Sequence, residues 1–161
     1  MEIIKDKKIV ADEWTVFDGD GESVVEAAED KVIYPYTVYA ANQESLKGKA
    51  KGILLDSDNH PEDIQDDLES FELIAINFPT FMDGRGYSYA KILRDRFAYE
   101  GELRAVGDVL RDQLFYMARC GFNAFKVKEG KDINDAIKGL DDFSVKYQVS
   151  VDEKLPLYRR R

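Results

Sequence analysis

Short apolar runs alternate with amphipathic stretches over the last two thirds of the chain. Apolar runs occur at Ile53–Leu55, Leu73–Phe78, Leu103–Val106 and Ala124–Val127, and a run such as the second is typical of a strand covered on both faces. Between the runs, apolar residues recur at the three- and four-residue spacing of a helix face. The pattern predicts an α/β fold in which four strands, separated by helices, form βαβ units and a parallel sheet.

Four groups of apolar residues carry the predicted helix faces: Ile64, Leu68 and Phe71; Gly86, Ala90, Leu93 and Phe97; Leu110, Leu114 and Met117; and Ile133, Ala136, Ile137 and Leu140. Gly121, which follows the third group, is a helix stop signal. Crossovers between parallel strands are right-handed almost without exception, but this rule does not give the order of the strands. An open doubly wound sheet and a half-barrel-like core both fit the pattern.

The beginning of the chain has a different pattern. Apolar pairs flank a polar turn within residues 1–11 and predict a β-hairpin, and Pro35 marks an edge strand or a bend. A polar, glycine-bearing stretch then precedes the first run of the parallel sheet. We therefore predict a small N-terminal β unit over 1–47 and an α/β core domain over 48–161, with a basic C-terminal tail at Arg159–Arg161.

Composition limits the class of protein. The chain has 161 residues, of which 44% are hydrophobic and 34% charged, as expected of one folded domain. Its net charge of −9 disfavours nucleic acid and anionic membrane surfaces as partners. No apolar run approaches the roughly 20 residues of a membrane span. The first residues lack the apolar centre of a signal peptide, so we expect a cytoplasmic protein.

Few residues are suited to catalysis. One cysteine, Cys120, excludes an internal disulfide and a self-contained iron–sulfur cluster, which needs about four thiolates. One histidine, His60, leaves little room for a histidine-based triad or metal site, and we predict no metal. The sequence contains no phosphate-binding loop, no dinucleotide fingerprint and no nucleophile elbow.

A candidate site follows from the predicted architecture. Ligands of parallel α/β proteins lie beyond the carboxyl ends of the strands. This rule selects four loops: Asp56–Pro61, Pro79–Ser88, Gly107–Leu110 and Lys128–Asp132. The second loop is the richest, because two glycines flank an arginine just before a predicted helix, where backbone N–H groups are free.

We therefore predict that this loop binds a small oxyanion or a phosphate. The candidate residues are Asp83, Gly84, Arg85, Gly86, Tyr87 and Ser88, together with Arg104, Asp108 and Arg111 from neighbouring segments. The alternative is structural: the glycines make a turn, and Arg85 pairs with Asp83 or with a carboxylate of a neighbouring loop.

The three residues from neighbouring segments each have an alternative role. Asp108 is a natural helix N-cap, and Arg111 can either pair with it or converge with Arg85. Arg104 lies inside a strand that should be central, where an unpaired guanidinium is costly. Either that strand lies at an edge, or Arg104 points into a polar interior next to Asp83 or Asp108.

Two long segments carry a family resemblance. FPTFMDGRGYSYAKILRDRF and GELRAVGDVLRDQLFYMARCGFNAF, which lie between Phe78 and Phe125, resemble a bacterial family catalogued as domain of unknown function 934. The ends DFSVKYQ and LPLYRRR resemble the same family. The resemblance covers roughly residues 52–161, and the first 45 residues or so match less well. Lys91, Ala98 and Asn123 stand where the family tends to have Arg, Gly and Asp.

The resemblance implies a role in sulfur metabolism. The family is labelled as probable oxidoreductases involved in sulfite reduction, because its genes lie beside those for the sulfite or nitrite reductase hemoprotein. It supplies no catalytic residues for this chain. One cysteine cannot ligate a sirohaem–iron–sulfur centre, and no nicotinamide fingerprint is visible. A flavin phosphate could sit at a helix N-terminus of a barrel-like fold, so the cofactor is left unassigned.

Two functions are therefore expected. The first is a non-catalytic accessory protein of assimilatory sulfite reduction, with the reductase hemoprotein as its partner. The alternative is a small oxidoreductase, or an anion- or phosphate-binding enzyme of the same pathway, that uses the loop around Arg85. The sequence leaves open whether the protein is an enzyme.

Overall fold

Eight strands form one sheet in the computed structural model, which describes residues 1–18, 31–80 and 82–141. The strands are β1 (Glu2–Lys5), β2 (Lys8–Ala11), β3 (Thr15–Val16), β4 (Val32–Pro35), β5 (Gly52–Leu55), β6 (Leu73–Phe78), β7 (Glu102–Gly107) and β8 (Ala124–Phe125). Their order across the sheet is β2-β1-β8-β7-β6-β5-β4-β3. Phe81 and the predicted basic tail at Arg159–Arg161 lie outside the described residues.

Strands β3 to β8 are parallel, and each pairs with the next one along the chain. The four predicted strands are β5 to β8, so the α/β class and the parallel sheet are confirmed. A doubly wound sheet reverses its strand order part-way, whereas the parallel strands β3 to β8 follow one another in sequence, as in a (β/α) barrel. The half-barrel alternative is therefore the one that the chain adopts.

The N-terminal strands lie at both edges of the same sheet. The predicted hairpin is confirmed: β1 and β2 pair antiparallel through a turn at Asp6 and Lys7, and both turn residues have positive φ. β1 also pairs antiparallel with β8, while β3 and β4 extend the opposite edge. The predicted boundary after residue 47 thus falls between β4 and β5, which are neighbours in one sheet.

A short connection curls this sheet. Strands β2 and β3 lie at opposite edges, yet only Asp12–Trp14 separates them in the chain. Seven strand spacings of about 4.8 Å would put the edges of a flat sheet about 34 Å apart. The four Cα–Cα steps from Ala11 to Thr15 span at most about 15 Å. The sheet must therefore curl until its edges approach each other.

Helical segments follow the strands. They are α1 (Tyr36–Ala41), α2 (Gln43–Leu46), a 3₁₀ helix (Pro61–Ser70), α3 (Arg85–Lys91) with a π-helical continuation (Ile92–Arg96), α4 (Arg111–Cys120), and α5 (Ile133–Ala136) with a 3₁₀ continuation (Ile137–Asp141). All four predicted helical stretches are helical. Gly121 ends α4 with a φ of 123°, which favours glycine. Among the described residues, no helix is both long and apolar enough to cross a bilayer.

The two faces of the sheet have different neighbours, because side chains alternate along each strand. Ile53, Ile74, Ile76 and Leu103 belong to the large apolar core that the helices cover. The opposite, concave face carries a smaller apolar cluster, in which Ile33, Leu73 and Ala75 pack with Trp14, Leu54 and Val106. No helix of the described segments contributes to that smaller cluster, so the concave face is the one left available for a site.

Helix α3 packs closely on β6 because Gly86 has no side chain. A Cβ at this position would lie 2.6 Å from Cζ of Phe78 and 3.1 Å from Cγ2 of Ile76. Phe78 is fully buried, so its ring has little room to move. Gly84, two residues earlier, has open space around the position of a Cβ and an ordinary φ of −87°. Close packing therefore requires a glycine at position 86, whereas position 84 has room for a side chain.

We predict that Gly86→Ala destabilises the protein by about 1–3 kcal/mol, because the new methyl group overpacks the contact with Phe78. Gly84→Ala is the matched control. It should change the stability by less than about 1 kcal/mol, and in the stabilising direction, because alanine restricts the unfolded chain. Urea unfolding followed by circular dichroism measures both variants. Equal midpoints for the two variants would contradict the close packing of α3 on β6.

Candidate functional site

The loop between β6 and α3 holds Arg85 in a network of carboxylates. The guanidinium of Arg85 donates two hydrogen bonds to Asp83, of 3.1 Å from Nε and 2.7 Å from Nη2, and one of 3.2 Å from Nη1 to Asp58. Its backbone N–H also donates to Asp83. The Arg85 side chain is half exposed, whereas that of Asp83 is largely covered. The arrangement is the pairing that the structural alternative predicts.

This pairing changes the acidity of Asp83. The side-chain hydrogen bond from Arg85, together with the one from its backbone, holds the pKa of the Asp83 carboxyl below its usual range. A group whose pKa is lowered on folding contributes stability above its unfolded pKa and loses it as the pH falls through the folded value. Asp83 is therefore ionised at neutral pH, and an incoming anion would meet its negative charge.

The other residues of the loop serve the packing of α3 or face solvent. Gly84 precedes the helix in open space, and Gly86 contacts Phe78. The half-buried ring of Tyr87 lies between those of Phe78 and Tyr116, with ring centroids 5.1 Å and 5.0 Å away. Ser88 is exposed on the first turn of the helix.

Asp108 and Arg111 are engaged elsewhere. The carboxylate of Asp108 lies 2.8 Å from Nζ of Lys128, and its backbone N–H donates to the carbonyl of Phe78. The predicted N-cap role of Asp108 is wrong, because α4 begins only at Arg111. Arg111 bonds Asp135 of α5 at 2.9 Å. Arg85 and Arg111 thus bind carboxylates of different segments.

Arg104 lies neither on an edge strand nor beside Asp83 or Asp108, but it has the carboxylate partners that a buried guanidinium needs. Its strand, β7, is central, with β6 and β8 on either side. The side chain is 3% exposed and binds Glu102 and Asp12, each at 2.9 Å, instead of Asp83 or Asp108. Glu102 lies two residues away on the same face of the strand, and Asp12 belongs to the connection between β2 and β3.

These residues form a buried ion network on the concave face. Lys5 of β1 extends it, since its Nζ lies 3.0 Å from Oε1 of Glu102. Asp12 also accepts a hydrogen bond from the backbone N–H of Trp14. Two cations and two anions balance, so the network is neutral. It attaches the connection Asp12–Trp14, which links the two edges of the sheet, to the central strand β7.

Beside this network the curled sheet encloses a cavity of about 630 Å³. Five consecutive strands supply wall residues, which include Ile33, Leu54, Ala75 and Val106. The connection between the edges adds Trp14, whose ring lies over Gly52, where a Cβ would be 2.8 Å from the ring. The cavity has the size and the mostly apolar lining of small-molecule sites.

The cavity reaches the carboxyl ends of β7 and β8. Gly107, Lys126, Val127, Lys128 and Glu129, which end or follow these strands, all line it. Ligands of barrel-like parallel sheets bind at this end of the strands. The cavity is therefore the candidate functional site. Of the nine candidate residues named from the sequence it contains only Arg104, but Gly107, Lys128 and Glu129 belong to two of the four loops that the sequence selected.

Most residues of this site had no recognisable signal in the sequence. The exception is the spacing of Glu102 and Arg104, because two opposite charges at alternate positions of an apolar strand predict a paired inner face. Asp12, Trp14 and Lys126 carry no motif, and they reach the cavity only through the curl of the sheet. Within the described parts of the chain, no three His, Cys, Asp or Glu side chains are grouped so that they could hold a metal ion.

A family model described as a bacterial protein of unknown function (DUF934) matches residues 52–158. The chain belongs to this family. The matched part contains β5 to β8 and their helices, hence the side of the cavity formed by Leu54, Ala75, Arg104 and Lys126. Comparison with curated proteins and with solved structures gives no match.

We predict that Arg104→Ala destabilises this DUF934 protein by about 3 kcal/mol or more, because it leaves two buried carboxylates, those of Glu102 and Asp12, without their shared cation. Arg96→Ala is the matched control. Arg96 pairs with Glu62 at 3.4 Å, and both side chains are largely exposed. Its loss should cost at most about 1 kcal/mol. Chemical unfolding measures both, and equal losses would refute the importance of the buried network.

Proposed function

We propose that this protein is an accessory protein of assimilatory sulfite reduction, which acts with the sulfite or nitrite reductase hemoprotein by binding a ligand and not by transferring electrons. The pathway rests on the family resemblance, and the binding role rests on the cavity of the concave face. The proposal includes a cytoplasmic location, with which a chain containing a single cysteine agrees.

The cavity is the observation that carries the binding role. It lies at the carboxyl ends of the central parallel strands, where this architecture binds its ligands. Two of its charged wall residues, Arg104 and Asp12, form an ion pair with each other. The only thiol of the sequence, that of Cys120, is buried in the apolar core on the helical face. These features favour binding over redox chemistry at the protein's own side chains.

We predict that a strain lacking the gene grows poorly on sulfate or sulfite and normally on cysteine. The reason is that cysteine supplies reduced sulfur and bypasses sulfite reduction. Growth rates on the three sulfur sources measure the effect. Equal growth on all three sources, in a strain without a second gene of this family, would refute the pathway assignment.

Complementation separates the cavity from the Arg85 loop in the same strain. A copy carrying Leu54→Trp, which places a large ring in the cavity, should fail to restore growth on sulfite. A copy carrying Arg85→Ala should restore it. Immunoblots should show comparable levels of both variants, so that a failure to restore growth reflects the cavity and not a loss of the protein.

The alternative is a small oxidoreductase, or an anion- or phosphate-binding enzyme of the pathway, that uses the Asp83–Ser88 loop. It requires an oxyanion to displace a carboxylate from Arg85. Asp58 is the partner that is easier to displace, because it is 89% exposed and makes one contact of 3.2 Å. Asp83 holds the same guanidinium with two hydrogen bonds.

A thermal-shift assay with sulfite, sulfate and phosphate distinguishes the alternative. We predict that none of them raises the wild-type midpoint beyond a chloride control of equal ionic strength, because Arg85 already binds two carboxylates. If the loop is an oxyanion site, stabilisation appears in the wild type. It is then reduced in Arg85→Ala, by an affinity loss of about 10- to 150-fold, and only partly restored in Arg85→Lys.

A further inference from the structure

We propose that the cavity binds a small organic anion, with an apolar body against the strand walls and a single anionic group at Lys126. This inference rests on the binding role proposed above and names the chemical class of its ligand. Among the cations that line the cavity, Lys126 differs from Arg104 and Lys128 in its pairing.

Three of the five charged side chains that line the cavity, those of Arg104, Asp12 and Lys128, already have partners. Arg104 is neutralised by Glu102 and Asp12, and Lys128 lies 2.8 Å from Asp108. A ligand that approached these groups would have to break a buried ion pair or compete with one. They therefore contribute no free charge for recognition.

Lys126 differs from them. Alternation along β8 places Ala124 level with Arg104 on the concave face and Phe125 in the core on the helical face, so the next residue, Lys126, returns to the concave face. Its side chain is half-buried and lines the cavity. Among the described residues, its ammonium has neither an ion-pair nor a hydrogen-bond partner.

A half-buried ammonium without a partner favours an anion in its vicinity, because the surrounding apolar walls screen its charge less than water does. The one free carboxylate among the lining residues, that of Glu129, is exposed at the rim and remains hydrated. The anionic group of the ligand therefore belongs near Lys126, at the carboxyl end of β8.

The remaining wall determines the body of the ligand. Val16, Ile33, Leu54, Ala75 and Val106 present apolar side chains from five strands. A ligand with many polar groups would lose its hydration there without gaining hydrogen bonds. A free inorganic oxyanion would satisfy Lys126 and leave the apolar walls unused. The site therefore fits an organic anion better than sulfite or sulfate.

Two fluorescent dyes that differ only in the anionic group test this inference. They are 1-anilinonaphthalene-8-sulfonate and its uncharged analogue N-phenyl-1-naphthylamine. Wild-type protein should bind both dyes at one site, and the sulfonate more tightly. In Lys126→Gln, which removes the charge and shortens the side chain by only one atom, the affinity for the sulfonate should fall about tenfold or more. The affinity for the uncharged dye should not change.

Lys49→Gln is the matched control, because Lys49 is an exposed lysine outside the cavity lining. It should leave both dyes unaffected. Leu54→Trp should abolish binding of both dyes by filling the cavity. Circular dichroism checks its fold, and Val106→Trp replaces it if it does not fold.

Three results would overturn the inference: no binding of either dye, binding that survives the filling of the cavity, or a loss of sulfonate affinity in Lys49→Gln as large as in Lys126→Gln. Dye binding is measured on the purified protein and is independent of growth on sulfur sources. A growth defect without dye binding would keep the pathway assignment and remove the organic-anion site. If the purified protein binds the dyes as expected but the deletion strain grows normally on sulfite, the organic-anion site is kept and the pathway assignment is removed.

Discussion

The connection Asp12–Trp14 is the constraint on which the rest of the structure depends. It joins the two edge strands of an eight-stranded sheet with three residues, so the sheet has to curl until its edges nearly meet. Curling creates an interior that the described helices do not reach, and the described residues fill only part of it. Trp14 occupies the space above Gly52, and the remaining volume is the cavity at the carboxyl ends of β7 and β8.

The buried ion network holds this connection in place. Arg104 and Glu102 come from the central strand β7, and Asp12 comes from the connection itself. A buried ion pair contributes little net stability, since desolvation offsets much of the attraction, but the loss of one partner is costly. The main effect of the network is therefore on the position of the connection and not on the stability of the fold. It fixes where the connection crosses the concave face and so defines one side of the cavity.

The loop around Arg85 and the cavity differ in how far their charged groups are paired. In the loop, opposite charges satisfy each other locally, and Gly86 provides the close packing of α3 on β6. In the cavity, the charges within the network are also satisfied, but Lys126 is left beside apolar walls. A surface with unused binding capacity is the more informative one for function, which is why the proposal is built on the cavity and on membership of the DUF934 family.

The sequence by itself determined the local elements of this protein. The apolar runs located β5 to β8, the helical spacing located the segments between them, and the nearness of Asp83 to Arg85 in the chain already suggested their ion pair. Only the tertiary structure decided the strand order, the curl and the pairing of Arg104 with Asp12, which lie 92 positions apart in the sequence. The physical reason is that alternation shows which side chains share a face of a strand, and this is the same in an open sheet and in a curled one. The site arises from the closure of the sheet, and closure depends on which strands lie at the edges.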